Sequence, residues 1–195
     1  MPAVASTLLP LGTAAPAFAL PAANPEVAGD SVTLDALARG ARGVVVVFTC
    51  NHCPYAVHVE DRLIELARAW QTQGIATVAI SSNDAEAYPA DAFDRMAERA
   101  REKAYPFPYL YDASQEVARA YDAACTPDFY LFDADLELVY RGRLDDSRPP
   151  RPGRPGRPRE TNDLDEAVQA LLRGEPVPEP HVPSLGCSIK WRGGA

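Results

Sequence analysis

Cys50-Asn51-His52-Cys53-Pro54 is the stretch of this 195-residue chain whose residue types and spacing point most directly to chemistry. Two cysteines with two residues between them can close a disulfide and reopen it, which suits them to thiol-disulfide exchange. The attacking species is the thiolate. An ordinary cysteine with a pKa near 8.5 is only about 3% ionised at pH 7, and bringing that pKa near 6.5 makes roughly three quarters of it nucleophilic. A helix start favours the thiolate through unpaired backbone N–H groups and the positive end of the helix dipole. The spacing therefore predicts Cys50 as the nucleophile, with Cys53, one helical turn on and more buried, resolving a mixed disulfide. His52 lies between them and can offer a hydrogen bond or a positive charge to the Cys50 thiolate, which favours a mildly oxidising disulfide. Half a zinc site is the competing reading, with His52, His58 or His181 as recruits. There is no second CxxC and no His pair at metal-ligand spacing, so neither a metal nor another cofactor is expected.

The flanking segments read as the parts that would hold such a pair. Val44 to Phe48 is a β-branched and aromatic run suited to a central strand buried on both faces, and it leads straight into Thr49 and Cys50. After Pro54, the spacing of Val59, Leu63, Leu66 and Trp70 predicts a helix, with Glu60, Asp61, Arg62, Glu65 and Arg68 on its other faces and Gly74 as its stop. Ile75 to Ile80 reads as the next strand, and Phe93, Met96, Ala97 and Ala100 mark a second amphipathic helix. Tyr109 to Tyr111 reads as a short strand, Gln115 to Tyr121 as a short helix, and Pro127 to Phe132 with Leu138 to Leu144 as strands about a turn. Asp163 to Leu172 is the last helix. Strands alternating with helices and a closing hairpin predict an α/β sandwich with a central mixed sheet.

Two segments fall outside that pattern. The Arg/Pro-rich stretch 148–159 is expected to be a flexible exposed loop, because its prolines and glycines oppose regular structure and no aromatic residue interleaves with its arginines for stacking on bases. The tail from Gly174 carries Pro176, Pro178, Pro180 and Pro183 and should be extended. At about 3.1 Å per residue it covers roughly 40 Å by Gly186. A compact chain of this size has a radius of gyration of about 16 Å, so the tail can bring Cys187 to the face that holds Cys50.

Composition bounds the rest. A length of 195 residues suits one domain, with 47% hydrophobic and 24% charged residues close to globular averages. The net charge of -8 argues against nucleic acid and anionic membrane surfaces as partners. No run approaches the roughly 20 apolar residues that span a bilayer. The N-terminal stretch lacks a basic n-region and is interrupted by Pro10, Pro16 and Pro21, so a cytoplasmic location is expected. In a reducing compartment four cysteines suit chemistry better than a disulfide scaffold.

The strand VVVVF, the CNHCP helix start, the Thr126-Pro127 step into a strand and the closing LGCSIKW segment together resemble the peroxiredoxin-like, AhpC/TSA-related branch of the thioredoxin-fold superfamily. The resemblance implies a single thioredoxin-like domain over 1–195, with a three-layer sandwich whose central mixed sheet is flanked by helices. It also implies a cis-proline at Pro127 facing the active site, Thr126 presenting its backbone to an extended substrate segment, and Thr49 and Pro54 tuning the site beside His52. Cys125 would then lie near the CxxC, and with Cys187 it forms a candidate second redox pair, the alternative being two unpaired small side chains.

This chain also departs from its relatives. With Cys53 in the peroxidatic position of PxxxTxxC, Val46 and Cys50 replace the Pro and Thr, and with Cys50 there Val47 replaces the Thr. Neither frame keeps the hydroxyl that orients peroxide. Val44 stands where thioredoxins have a buried acid, and Thr49 replaces their Trp. The leading expectation is thus a thiol-disulfide oxidoreductase acting on a protein or small-molecule disulfide with a thiol reductant. A thiol peroxidase and a non-catalytic, zinc-capable binding module are the alternatives. Substrate and oligomeric state are not legible in the sequence.

Overall fold

The computed structural model describes residues 3–7 and 9–193. Its first part comprises β1 (Ala3–Ala5), β2 (Ala19–Pro21), a single turn α1 (Pro25–Ala28), β3 (Ser31–Thr33) and α2 (Leu34–Ala38). Next come β4 (Gly43–Phe48), α3 (Pro54–Thr72), β5 (Ile75–Ser81), α4 (Phe93–Lys103), β6 (Tyr109–Tyr111) and α5 (Glu116–Ala120). The chain then runs through β7 (Cys125–Thr126), β8 (Asp128–Asp133), β9 (Leu138–Gly142), α6 (Asp163–Arg173) and β10 (Leu185–Ser188).

The five-stranded sheet has the order β6-β5-β4-β8-β9, with β6, β5 and β4 parallel and β8 and β9 antiparallel to their neighbours. β4 is central because every one of its residues is apolar or glycine and buried. Side chains alternate across a strand, so Val45 and Val47 join Leu63, Leu66, Trp70 and Val168 on one face, while Val44, Val46 and Phe48 join Phe18, Leu34, Leu110 and Tyr121 on the other. The result is a three-layer α/β sandwich with helices on both sides of a mixed sheet. The Trp70 indole N–H donates to Asp165 at 2.8 Å, fixing α3 against α6 where full burial would otherwise leave that donor unpaired. Thr33 caps α2 by accepting the Ala36 N–H at 3.1 Å.

Three parts of the chain take partners that the sequence patterns do not show. Glu60, on α3, is buried at 8% exposure and accepts two hydrogen bonds from Arg99, at 2.8 and 2.6 Å, and one from Tyr105 at 2.6 Å. A buried carboxylate requires such partners, and here they join α3 to α4 and its following turn. Residues 150–159 are exposed and Arg148 and Pro149 half-buried, and the stretch pairs with itself, Arg148 with Arg157 and Arg151 with Arg154. The prolines lack N–H groups, but each arginine keeps one, and these close the ladder at 2.9–3.0 Å. The tail does not stay unpaired either. β10 lies between β1 and β7 in a separate three-stranded antiparallel sheet.

Asp128 begins β8 at 1% exposure, and burial pushes its carboxyl up to about 7 although the Tyr130 hydroxyl donates to it at 3.2 Å. Folding therefore favours the protonated form. Stability from this group is greatest below the ordinary carboxylate pKa near 4 and is lost as pH rises through about 7. Asp128→Asn removes the titration, so its stability relative to the wild type should rise between pH 5 and pH 8 by about 2–3 kcal/mol. Urea unfolding at the two pH values checks this, and a constant difference would show that Asp128 does not titrate there.

Candidate functional site

α3 starts one residue after Cys53. Pro54 takes the first helical position, where its missing N–H costs nothing, and Cys53 becomes the N-cap. The sulfur that meets the helix N-terminus is therefore that of Cys53 rather than Cys50, contrary to the expectation from spacing. Cys53 is fully buried and Cys50 is 5% exposed. Around the Cys53 sulfur, the Cys50 thiol, the Thr126 hydroxyl, the Ala56 backbone N–H and the Cys187 thiol are donors that stabilise a thiolate. Against them stand burial and the Thr126 carbonyl oxygen at 3.0 Å, an acceptor that suits a protonated thiol. The donors prevail and draw Cys53 down to about 5, with the Cys50 thiol the largest contributor. Cys50 is pushed up in turn, because its proton serves Cys53 and its site is desolvated. The pair titrates as a unit that carries one negative charge at neutral pH.

Thr126 faces both sulfurs. Its hydroxyl lies 3.4 Å from Cys50 Sγ, its carbonyl is the partner of Cys53, and its peptide bond to Pro127 is cis. The backbone edge of Thr126 is not open to an extended substrate, as the resemblance implied. The chain's own β10 occupies it, with Cys187 opposite Thr126 and Ser188 opposite Cys125. Gly186 permits this approach, since a Cβ there would come within 1.9 Å of the Thr126 carbonyl oxygen. Residues directly opposite on antiparallel strands share a face. Cys187 therefore points with Thr126 toward the CxxC, while Cys125 and Ser188 point to the other side. A Cys125–Cys187 disulfide needs the two Cβ atoms about 3.8 Å apart and aimed at each other, and the register sets the two side chains on opposite faces of β7 and β10. Cys125 is fully buried, and desolvation pushes its thiol well up.

His52 does not bond directly to Cys50. Its Nδ1 lies 2.7 Å from Asp91, its ring stacks on Tyr88 with centroids 5.4 Å apart, and Nε2 has no hydrogen-bond partner. The Asp91 bond raises the His52 pKa. Fully buried Asp91 also accepts the Asn51 backbone N–H at 2.8 Å and the Asn83 side-chain amide at 2.7 Å, which pins the two residues between the cysteines. Asn83 in turn accepts the Lys190 backbone N–H at 2.8 Å, so the tail is tied to the same network. Sequence spacing does not mark Asp91, whose partners lie 8 to 40 positions away.

Donor atoms of Cys50, His52 and Asp91 all lie within 4.8 Å of one another and are, among the described residues, the group close enough to hold a metal ion. One histidine nitrogen already bonds the carboxylate, so such an ion would need Nε2 or a broken Asp91 bond. Pro54 is exposed, and the half-buried Thr49 donates its backbone N–H to Ile80 at 2.9 Å. On the flank, Arg151 lies over the Tyr55 ring at 4.3 Å, bringing the arginine-rich ladder against the first turn of α3.

Residues 11–141 match the AhpC/TSA family. An uncharacterized conserved protein from Geobacillus kaustophilus is 51% identical, with 100% of this chain and 99% of that one covered at a TM-score of 0.91. A hypothetical protein from Sinorhizobium meliloti 1021 is 43% identical, with 97% and 99% covered at a TM-score of 0.89. The thioredoxin domain of a thiol-disulfide oxidoreductase from Bacteroides vulgatus shares the fold at 19% identity, with 69% and 89% covered at a TM-score of 0.53. No curated protein matches the chain. The architecture is thioredoxin-like. No helix among the described residues is long and apolar enough to cross a membrane.

Proposed function

Because the chain belongs to the AhpC/TSA family, we propose that it is a thiol-disulfide oxidoreductase whose redox pair is Cys50 and Cys53. The observation that carries this reading is the pair of sulfurs at the start of α3, both faced by Thr126 ahead of the cis peptide bond to Pro127. Cys50, the more exposed of the two, attacks a substrate disulfide while its proton passes to the Cys53 thiolate. One substrate sulfur bonds to Cys50, and the other leaves as a thiolate. Cys53 then gives up its proton and attacks Cys50 Sγ, closing the Cys50–Cys53 bond and releasing the second substrate thiol. Val44 leaves Cys53 without the buried acid that would accept this proton, so the departing substrate thiolate takes it up.

Peptide-mapped thiol trapping across glutathione buffers from about -120 to -300 mV tests the reading. Cys50–Cys53 should close and reopen reversibly, with a midpoint less negative than the roughly -270 mV of thioredoxin, because the thiolate stabilises the reduced form. A bridge that never forms would overturn it. The depressed Cys53 pKa favours a second reading, thiol peroxidase. There the Cys53 thiolate takes one oxygen from a hydroperoxide, releasing an alcohol, and the sulfenic acid condenses with Cys50 to give the same disulfide and water. Thiol-dependent peroxide consumption by the wild type separates the two.

A further inference from the structure

Within the CxxC Cys53 is fully buried and Cys50 keeps a small exposed edge, and of the four cysteines Cys187 alone is not buried. Its place follows from three features of the tail. β10 pairs with β7 so that Cys187 faces the same way as Thr126, whose hydroxyl and carbonyl contact the two CxxC sulfurs. Gly186 lets the strand lie against the Thr126–Pro127 backbone. β1 pairs along the other edge of β10, Ala3 opposite Cys187, and both residues pack on the cluster of Cys50, Cys53, Tyr55 and Ala56.

We propose that Cys187 is the outer thiol of a three-sulfur relay: it attacks Cys53 in the Cys50–Cys53 disulfide, and the resulting Cys53–Cys187 bond presents a sulfur that an external thiol can reach. The relay rests on the oxidoreductase reading, since it begins from that disulfide. In the first step the Cys187 thiolate forms a bond to Cys53 Sγ, the Cys50–Cys53 bond breaks, and the electron pair leaves with Cys50. The departing sulfur lies beside the Thr126 hydroxyl and takes up the proton that Cys187 lost. No net oxidation occurs. In the second step a thiol reductant of the glutathione class attacks Cys187 Sγ and Cys53 leaves as its thiolate. A second reductant thiol frees Cys187, so that one protein disulfide and two thiols yield two protein thiols and one small disulfide.

In the second step the leaving sulfur is Cys53, and a thiol with a pKa near 5 departs fast. The first step is the slower one, since Cys50 leaves with a raised pKa. Cys187 is raised to about 11 by burial and then by the Cys53 sulfur. The Cys50–Cys53 disulfide removes the negative charge on Cys53, so Cys187 ionises more readily in the state in which it must attack.

Two variants of the full chain test the relay. Oxidation of Cys50→Ser with one equivalent of oxidised glutathione should give an internal Cys53–Cys187 disulfide by peptide mapping. A glutathione adduct on Cys53 beside a free Cys187 would overturn the proposal. Cys187→Ser should still close Cys50–Cys53, but glutathione should reduce that bond at least about tenfold more slowly than in the wild type. Cys187→Ala, which removes the hydroxyl, should behave alike, and wild-type reduction rates in both variants would also overturn the relay. Failure of the relay alone leaves Cys50–Cys53 closing in both Cys187 variants. Absence of that bond from the wild type and the Cys187 variants overturns the oxidoreductase reading and the relay together.

Discussion

Cys53→Ser should abolish thiol-disulfide exchange, lowering turnover by on the order of 10³-fold or more, the scale on which loss of a reacting group acts. The same change should erase the thiolate that the reduced protein carries at neutral pH. Cys53 lies near 5 against an ordinary value of 9.0, and the proton donated by Cys50 is the largest cause. The sign follows from linkage. A thiol whose pKa is lowered by folding stabilises the reduced native state fully above about pH 9, and this contribution fades as pH falls and vanishes below about 5. Thiolate absorbance near 240 nm should therefore rise in the wild type through a step around pH 5. Cys53→Ser should show no step below about pH 8, because desolvation keeps the remaining thiols high. Cys50→Ser should keep the step, since a serine hydroxyl can donate to Cys53 in place of the thiol. A Cys53→Ser protein that retained the low step would move the thiolate to another sulfur and overturn the assignment.

Gly186→Ala should loosen the tail. The added Cβ would lie 1.9 Å from the Thr126 carbonyl oxygen and 2.6 Å from its carbon, both backbone atoms that cannot swing aside. β10 would have to lift by more than an ångström, breaking its pairing with β7. Overpacking of this kind costs about 1–3 kcal/mol, or roughly 3–10 °C in melting temperature for a chain of this size. The larger effect should be chemical. Cys53 loses the lid that seals it, so its alkylation by iodoacetamide should quicken by at least about tenfold, following thiolate exposure. Melting and alkylation equal to the wild type would show that β10 does not need the close approach.

How much of this was legible in the sequence depends on the range of the interaction. The β4 run, the α3 periodicity and the CNHCP junction are local patterns, and they led to the central strand, the helix and the CxxC between them. The tail's reach to the CxxC followed from its length and proline content. Which cysteine sits at the helix start was not legible from the spacing of the pair. It depends on Pro54 taking the first helical position, which passes the N-cap to Cys53. The partner of Cys187 depends on a register between strands about 60 residues apart, and one step of slip exchanges the side chains on each face. Asp91 was invisible for the same reason, being an ordinary acid at the end of a single 3-10 turn until folding sets it against Asn51, His52 and Asn83. Glu60 carried the charge of a surface residue, and only the approach of Arg99 and Tyr105 makes its burial tolerable.

The strand that covers Thr126 is also an intramolecular competitor. A segment tethered in this way acts at an effective concentration on the order of millimolar. An incoming polypeptide that sought the Thr126 edge by main-chain pairing would first have to displace β10, and weak, transient partners would be excluded. A small disulfide or thiol needs no strand edge and meets no such competition. On the oxidoreductase reading proposed above, compact sulfur compounds are then the expected partners, ahead of extended protein segments.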